Sequence, residues 1–163
     1  GNPVKPAPVA TEFIANLLAE RDATAEFVNL LVNEQAVLRD GASELLETLS
    51  RNKAEMAQQL SELAALRARL LALQGYSPDA KGMQSWIRSH SQDAGAATAW
   101  RSLRSLAEQA RALNQANGAL IELQLRHHQQ TLSALGKACG TPMLYGPQGQ
   151  TLPSPRTRQL SAA

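Results

Sequence analysis

The placement of proline constrains the fold of this chain more than any other feature of its sequence. The eight prolines stand at positions 3, 6, 8, 78, 142, 147, 153 and 155, so residues 9–77 and 79–141 contain none. An interior proline costs a helix about 3 kcal/mol, and both stretches are therefore free to be helical. The Pro-rich ends, 1–8 and 141–163, are predicted to be flexible segments on either side of one helical domain, 9–140.

The composition favours helices over strands. Hydrophobic residues make up 44% of the 163 residues but aromatic residues only 4%, and the apolar content is mainly Leu and Ala, which are strong helix formers. The β-branched and aromatic residues that favour strands are sparse. We therefore predict an all-α protein with enough apolar material for the core of one domain.

Apolar spacing divides the first proline-free stretch into two long helices. Apolar residues recur at helical intervals both before and after Asp40-Gly41, where we predict that the first helix ends. Gly75 is predicted to end the second helix. Lys53 and Arg67 interrupt the apolar seam of the second helix. We expect their stems to pack and their charges to reach water.

The second stretch is predicted to hold a short helix and then the longest one. Ser77-Pro78-Asp79 is typical of a helix start, with Ser77 as the cap and Pro78 at the first helical position. A short helix to about His90 would bury Met83, Trp86 and Ile87. After a break near Asp93-Ala94-Gly95, a helix runs from about Ala96 to Ala138. Three long helices and one short one predict an antiparallel, coiled-coil-like bundle.

The seam of the last helix changes its spacing near the middle. Between Leu113 and Leu125, successive seam residues are separated by four, four and four positions. This spacing is a stutter, which locally unwinds a supercoil. Asn114, Asn117 and Gly118 lie there. Either a buried Asn fixes the register of the helices, or small and polar residues admit another helix. At about 60 Å, this helix is expected to outrun its partners and leave part of its apolar face uncovered.

The charge is unevenly distributed along the chain although the net charge is only +2. Acidic residues are in excess before residue 80 and basic residues after it. Two interpretations stay open: the acidic half packs against the basic half, or a basic surface meets an acidic partner or a membrane face. The small net charge argues against nucleic acid as a partner.

Nothing in the sequence indicates catalysis, a metal or a cofactor. His127 and His128 point about 100° apart on a helix, and no neighbour completes a zinc site. The single cysteine, Cys139, fits a reducing compartment. No apolar run approaches the ~20 residues that span a bilayer. We expect a cytoplasmic protein that is not an enzyme and is not stably inserted in a membrane.

Several segments together resemble the FlgN family. The segment 113–121, Leu-Asn-Gln-Ala-Asn-Gly-Ala-Leu-Ile, carries most of the resemblance. An earlier part of the sequence, with paired leucines among charged and small residues, also fits the pattern of the family. Near the C-terminus, Leu144-Tyr145-Gly146 followed by Gly149 fits it as well. The charged and glycine members of the earlier pattern are Glu20, Glu34, Lys53, Arg67 and Gly75. The resemblance covers residues 11–150.

The resemblance implies a function for the chain. Chaperones of this family bind the hook–filament junction proteins FlgK and FlgL before export, prevent their premature assembly and deliver them to the flagellar export apparatus, with FlhA and the export ATPase complex as further partners. Tyr145 matches the tail tyrosine that docks on FlhA. The client-binding face of the C-terminal helix would carry Leu113, Asn117, Leu120, Ile121, Leu125, His128, Leu132 and Leu135. The alternative is a structural or adaptor coiled-coil protein that self-associates through the same seam.

Overall fold

A computed structural model describes residues 6–138 of the chain, and all of its regular structure is helical. The helices are α1 (Pro6–Asp40), α2 (Leu46–Leu73), α3 (Ala80–Ser89) and α4 (Ala94–Ala138), with a 3-10 turn at Ser43–Leu45. No strand occurs within these residues. The predicted all-α fold with three long helices and one short helix is confirmed. The N-terminal segment before Pro6 and the tail after Ala138 lie outside the described residues.

The chain divides into two compact units. The N-terminal unit, Gly1–Gly118, contains α1, α2, α3 and the first half of α4, and the C-terminal unit, Ala119–Ala163, contains the remainder of α4. Two hydrophobic clusters of buried residues lie in the N-terminal unit.

Two glycines end helices where the sequence predicts breaks. Gly41 follows α1 with φ +71°, and Gly75 follows α2 with φ +86°, which are left-handed conformations that cost a residue with a Cβ free energy. The start of α1 differs from the prediction, because the helix begins at Pro6 and not at residue 9. A proline is tolerated in the first turn of a helix, since the amides there have no intrahelical acceptor.

The start of α3 also differs from the prediction, because Asp79 and not Ser77 is the cap. Asp79 has extended backbone, and its carboxylate accepts a hydrogen bond of 3.0 Å from the Gly82 amide. This bond and another from the Ser77 side chain lower the pKa of Asp79. Pro78 therefore precedes the cap. Residue 82 must be glycine because the Ser77 carbonyl group lies against its backbone, and a Cβ there would collide with that group.

Trp86 fixes α3 to the end of the bundle, and its side chain is fully buried. The indole ring lies 4.7 Å from the Phe13 ring and stacks on His90 at 3.9 Å, as measured between centroids. Its Nε1 donates a hydrogen bond of 2.9 Å to Gln74 Oε1. Met83 is also fully buried, as predicted, whereas Ile87 is only half-buried.

Polar pairs show that α1 and α2 are antiparallel. Going forward along α1, Glu20 contacts Arg67 of α2 and Glu34 contacts Lys53, so the later residue on α1 meets the earlier residue on α2. The α4 segment runs parallel to α1. Its early residues Ala99 and Leu103 share a cluster with Phe13 and Leu17, and its later Ala110 shares one with Val28 and Leu31.

Arg67 joins three helices of the N-terminal unit. Its Nε donates to Glu20 Oε1 at 2.7 Å, and its Nη2 donates to Glu20 Oε2 at 3.2 Å. The guanidinium carbon also lies 5.1 Å from the centre of the Trp100 ring on α4, within the range of a cation–π interaction. The two-pronged geometry is the strong form of an Arg–carboxylate pair.

Lys53 makes the second ion pair between α2 and α1. Its Nζ lies 3.2 Å from Glu34 Oε1, and the two side chains are 25% and 4% exposed. The expectation that Lys53 and Arg67 send their charges to water is wrong, because each charge is held by a buried carboxylate. Both pairs lie within the acidic half of the sequence. The interhelical ion pairs of the described residues therefore do not join the acidic half to the basic half.

Replacing Lys53 by Met should destabilise the protein strongly, because the Glu34 carboxylate would stay buried without its cation. We expect the free energy of unfolding at pH 7 to fall by about 3 kcal/mol, measured by urea denaturation. Arg51→Met is the control, since Arg51 lies 3.9 Å from Glu47 and both side chains are exposed. That change should stay within about 0.5 kcal/mol. Equal losses in the two variants would contradict a buried, cation-dependent Glu34.

Candidate functional site

Asn117 is fully buried and ties α4 to α1. Its Nδ2 donates hydrogen bonds to the Leu31 carbonyl at 2.9 Å and to Glu34 Oε1 at 2.8 Å. Since Glu34 also accepts from Lys53, one carboxylate connects α1, α2 and α4. Asn117 Oδ1 is buried and has no hydrogen-bond partner. The interpretation that a buried asparagine fixes the helix register is the one that the structure supports.

Leu113 and Asn117, two of the eight residues predicted to bind a client, belong to the packed N-terminal unit. Leu113 is partly buried against the cluster of Val28, Leu31 and Ala110. Asn117 is held by α1 through both of its amide hydrogens. Neither is a free surface residue in the folded unit, and the large exposed apolar side chains of α4 lie in the residues that follow.

The C-terminal unit exposes a row of large side chains on α4, which we call the exposed stripe: Ile121, Leu125, His128, Leu132 and Leu135. The steps along it are four, three, four and three, so its members share one face of the helix. Ile121 is 45% exposed, Leu125 41% and Leu135 57%. His128 is also exposed, and Leu132 is half-buried. An exposed row of large and mostly apolar side chains is typical of an interaction surface.

On either side of the stutter, the exposed stripe and the core residues earlier in the same helix have the same kind of three- and four-residue spacing. Ala99, Leu103 and Ala110 recur at steps of four and seven, and all three are buried. The sequence pattern that packs in the N-terminal unit thus extends into a region of α4 where its members are exposed. The pattern itself is that of a helix face made to pack against other helices.

Two leucines of the C-terminal unit lie away from the exposed stripe. Leu120, a predicted client-binding residue, is half-buried and sits about 100° around the helix from Ile121. Leu123 is 56% exposed, and apolar spacing does not predict a role for it because it lies on no seam of the helix. Its position on another side of the helix makes it a natural control for the stripe.

A metal site and a membrane span are two further kinds of feature that the geometry and apolarity of the described residues could reveal. Between Pro6 and Ala138 there is no group of three His, Cys, Asp or Glu side chains that could hold a metal ion. No helix in this range has the length and apolarity needed to cross a membrane. Tyr145, the predicted docking residue for FlhA, lies outside the described residues.

Replacing Asn117 by Ala should destabilise the N-terminal unit, because Glu34 and the Leu31 carbonyl would lose a buried donor. We expect a loss of about 2 kcal/mol in the free energy of unfolding, measured by chemical denaturation. Asn114→Ala is the matched control one turn earlier. Asn114 is exposed, and Ala is the better helix former, so that variant should be neutral or slightly more stable. A harmless Asn117→Ala would show that the asparagine does not hold the register.

Comparison with known proteins gives a family and no individual relative. The profile of the family described as FlgN protein matches residues 9–153, which is most of the chain. No curated protein and no solved structure matches. The matched range includes Glu20, Glu34, Lys53, Arg67 and Asn117, which form the buried polar contacts between the helices. The chain therefore belongs to the FlgN family, the family of flagellar export chaperones.

Proposed function

We propose that this chain is the cytoplasmic chaperone of the hook–filament junction proteins FlgK and FlgL. It binds the amphipathic C-terminal helices of these clients, prevents their premature assembly and delivers them to the flagellar export apparatus. The observation that carries the proposal is the exposed stripe, an uncovered helix-packing face in a protein of an export chaperone family. The mechanism needs no catalysis and no cofactor.

The stripe offers a client helix a suitable amount of apolar contact. Complete burial of a Leu or Ile side chain contributes about 1.5–3 kcal/mol, and Ile121, Leu125 and Leu135 are each about half exposed. Covering them, together with the apolar side chains of the client, would contribute several kcal/mol. Ordering a client segment that is unfolded before assembly offsets some of this gain. We therefore expect micromolar affinity and reversible release.

Leu125→Lys should weaken the binding of peptides from the C-termini of FlgK and FlgL by at least tenfold, because it places a charge in the middle of the stripe. Titration calorimetry measures the affinity, and circular dichroism measures the helicity gained on binding. Leu123→Lys is the matched control, since Leu123 is at least as exposed but lies off the stripe.

Two results would count against the proposal. If neither peptide binds at micromolar concentration, the assignment of FlgK and FlgL as clients fails. If the two lysine variants weaken binding equally, the stripe is not the client surface.

The same stripe also supports a second candidate function, that of a structural or adaptor protein that self-associates. In that case the mass measured by size-exclusion chromatography with light scattering rises with protein concentration and falls in Leu125→Lys. A chaperone that meets its clients as a monomer shows a constant mass in both proteins. The two functions are thus separated without any client.

We further propose that Tyr145 docks the chaperone on FlhA, and that the export ATPase complex is an additional partner. The support is the resemblance of Leu144-Tyr145-Gly146 to the family's tail. Tyr145→Ala should weaken FlhA binding at least tenfold and leave the affinity for client peptides unchanged, both measured by calorimetry. Tyr145→Phe keeps the ring and tests whether the hydroxyl is needed. Loss of both activities in Tyr145→Ala would contradict separate docking and client sites.

A further inference from the structure

A groove separates α2 from α4 in the N-terminal unit, with α1 as its floor. Its volume is about 390 Å³. Both large and small apolar side chains line it: Phe27, Leu60 and Leu103 are large ones, and Ala57, Ala64 and Ala107 are among the small ones. The small residues leave room for another helix to approach the walls closely. None of the residues that line this α2–α4 groove belongs to the exposed stripe, and the groove is not used in the proposed binding of FlgK and FlgL.

One end of the α2–α4 groove carries polar groups that are not fully satisfied. Trp100 lines this end of the groove, and its Nε1 is buried without a hydrogen-bond partner, which leaves a donor unpaired at a cost in free energy. Arg104 is exposed and lies 5.8 Å from the Trp100 ring, with no carboxylate partner among residues 6–138. The single acid in the lining, Glu20, is already paired with Arg67. This end therefore has one uncompensated positive charge.

We propose that the α2–α4 groove binds an amphipathic helix of a partner protein that carries Asp or Glu at the end near Trp100. The walls extend from Ala57 to Arg67 and from Trp100 to Ala110. Each wall is about 15 Å long at 1.5 Å per residue, so three helical turns fill the groove. The carboxylate of the occupant would pair with the exposed guanidinium of Arg104.

The tail of this chain is a poor occupant, and its sequence gives two reasons. Residues 139–163 contain no Asp or Glu and include Arg156 and Arg158, so their charge has the wrong sign. Prolines at 142, 147, 153 and 155 also leave no run as long as three helical turns. Both the charge and the length point to a helix from another protein.

The test uses the intact ¹⁵N-labelled chain and two designed peptides. Each peptide is a 14-residue helix with Leu and Ala on one face, and it carries either Glu or Lys in its last turn. The readout is the indole N–H signal of Trp100, identified by its loss in Trp100→Phe. We expect the Glu peptide to shift this signal and the Lys peptide to bind at least tenfold more weakly. Arg104→Gln should reduce that discrimination.

Paired variants locate the binding on the protein. Ser61 lines the groove and is exposed, whereas Ala65 on the same helix is exposed and does not line it. Ser61→Phe should abolish the shift, and Ala65→Phe should leave it unchanged. Leu125→Lys should also leave it unchanged, which separates this site from the client surface.

Four results would overturn the proposal: no shift at millimolar peptide, equal affinity for the two peptides, an equal effect of Ser61→Phe and Ala65→Phe, or displacement of the Glu peptide by a peptide of residues 139–163. A Trp100 signal that moves with the concentration of the chain alone would identify a second copy as the occupant and would also overturn it.

Discussion

The carboxylate of Glu34 is the point at which three helices of the N-terminal unit meet. It lies on α1, pairs with Lys53 of α2 and accepts a hydrogen bond from Asn117 of α4. A buried carboxylate without partners costs several kcal/mol, so both partners must be present whenever the bundle is formed. The Glu20 carboxylate has a similar role two heptads earlier on α1, where Arg67 joins it to Trp100.

These contacts decide where the buried section of the α4 seam ends. A slip of α4 by one turn would bring Leu113 or Ile121 to the position of Asn117, and an apolar side chain there could not donate to Glu34. The register is therefore set by hydrogen bonding, while apolar packing supplies the bulk of the stability. The exposed stripe begins at Ile121, one turn after Asn117. The hydrogen bonds of Asn117 therefore determine where the stripe starts.

Much of the fold could be predicted because proline and glycine act locally. The breaks at Gly41 and Gly75 and the length of α4 follow from single residues and their spacing. The polar pairing could not be predicted in the same way, since it depends on which helices face each other. Glu20 and Glu34 are 14 residues apart, as are Lys53 and Arg67, and this match is the signal that an antiparallel pairing leaves in the sequence. Spacing alone also could not tell buried Asn117 from exposed Ile121, because both occupy the same seam.

The hydrogen bond between Asn117 and Leu31 spans 86 residues of sequence, and this separation has a consequence for biosynthesis. A ribosome adds roughly 5–20 residues per second, so α1 waits on the order of 10 s before its partner on α4 exists. During this interval the hairpin of α1 and α2 can form its two ion pairs, but the face that receives α4 is still bare. A nascent chain of this chaperone is itself a chain in need of protection until its last helix leaves the ribosome.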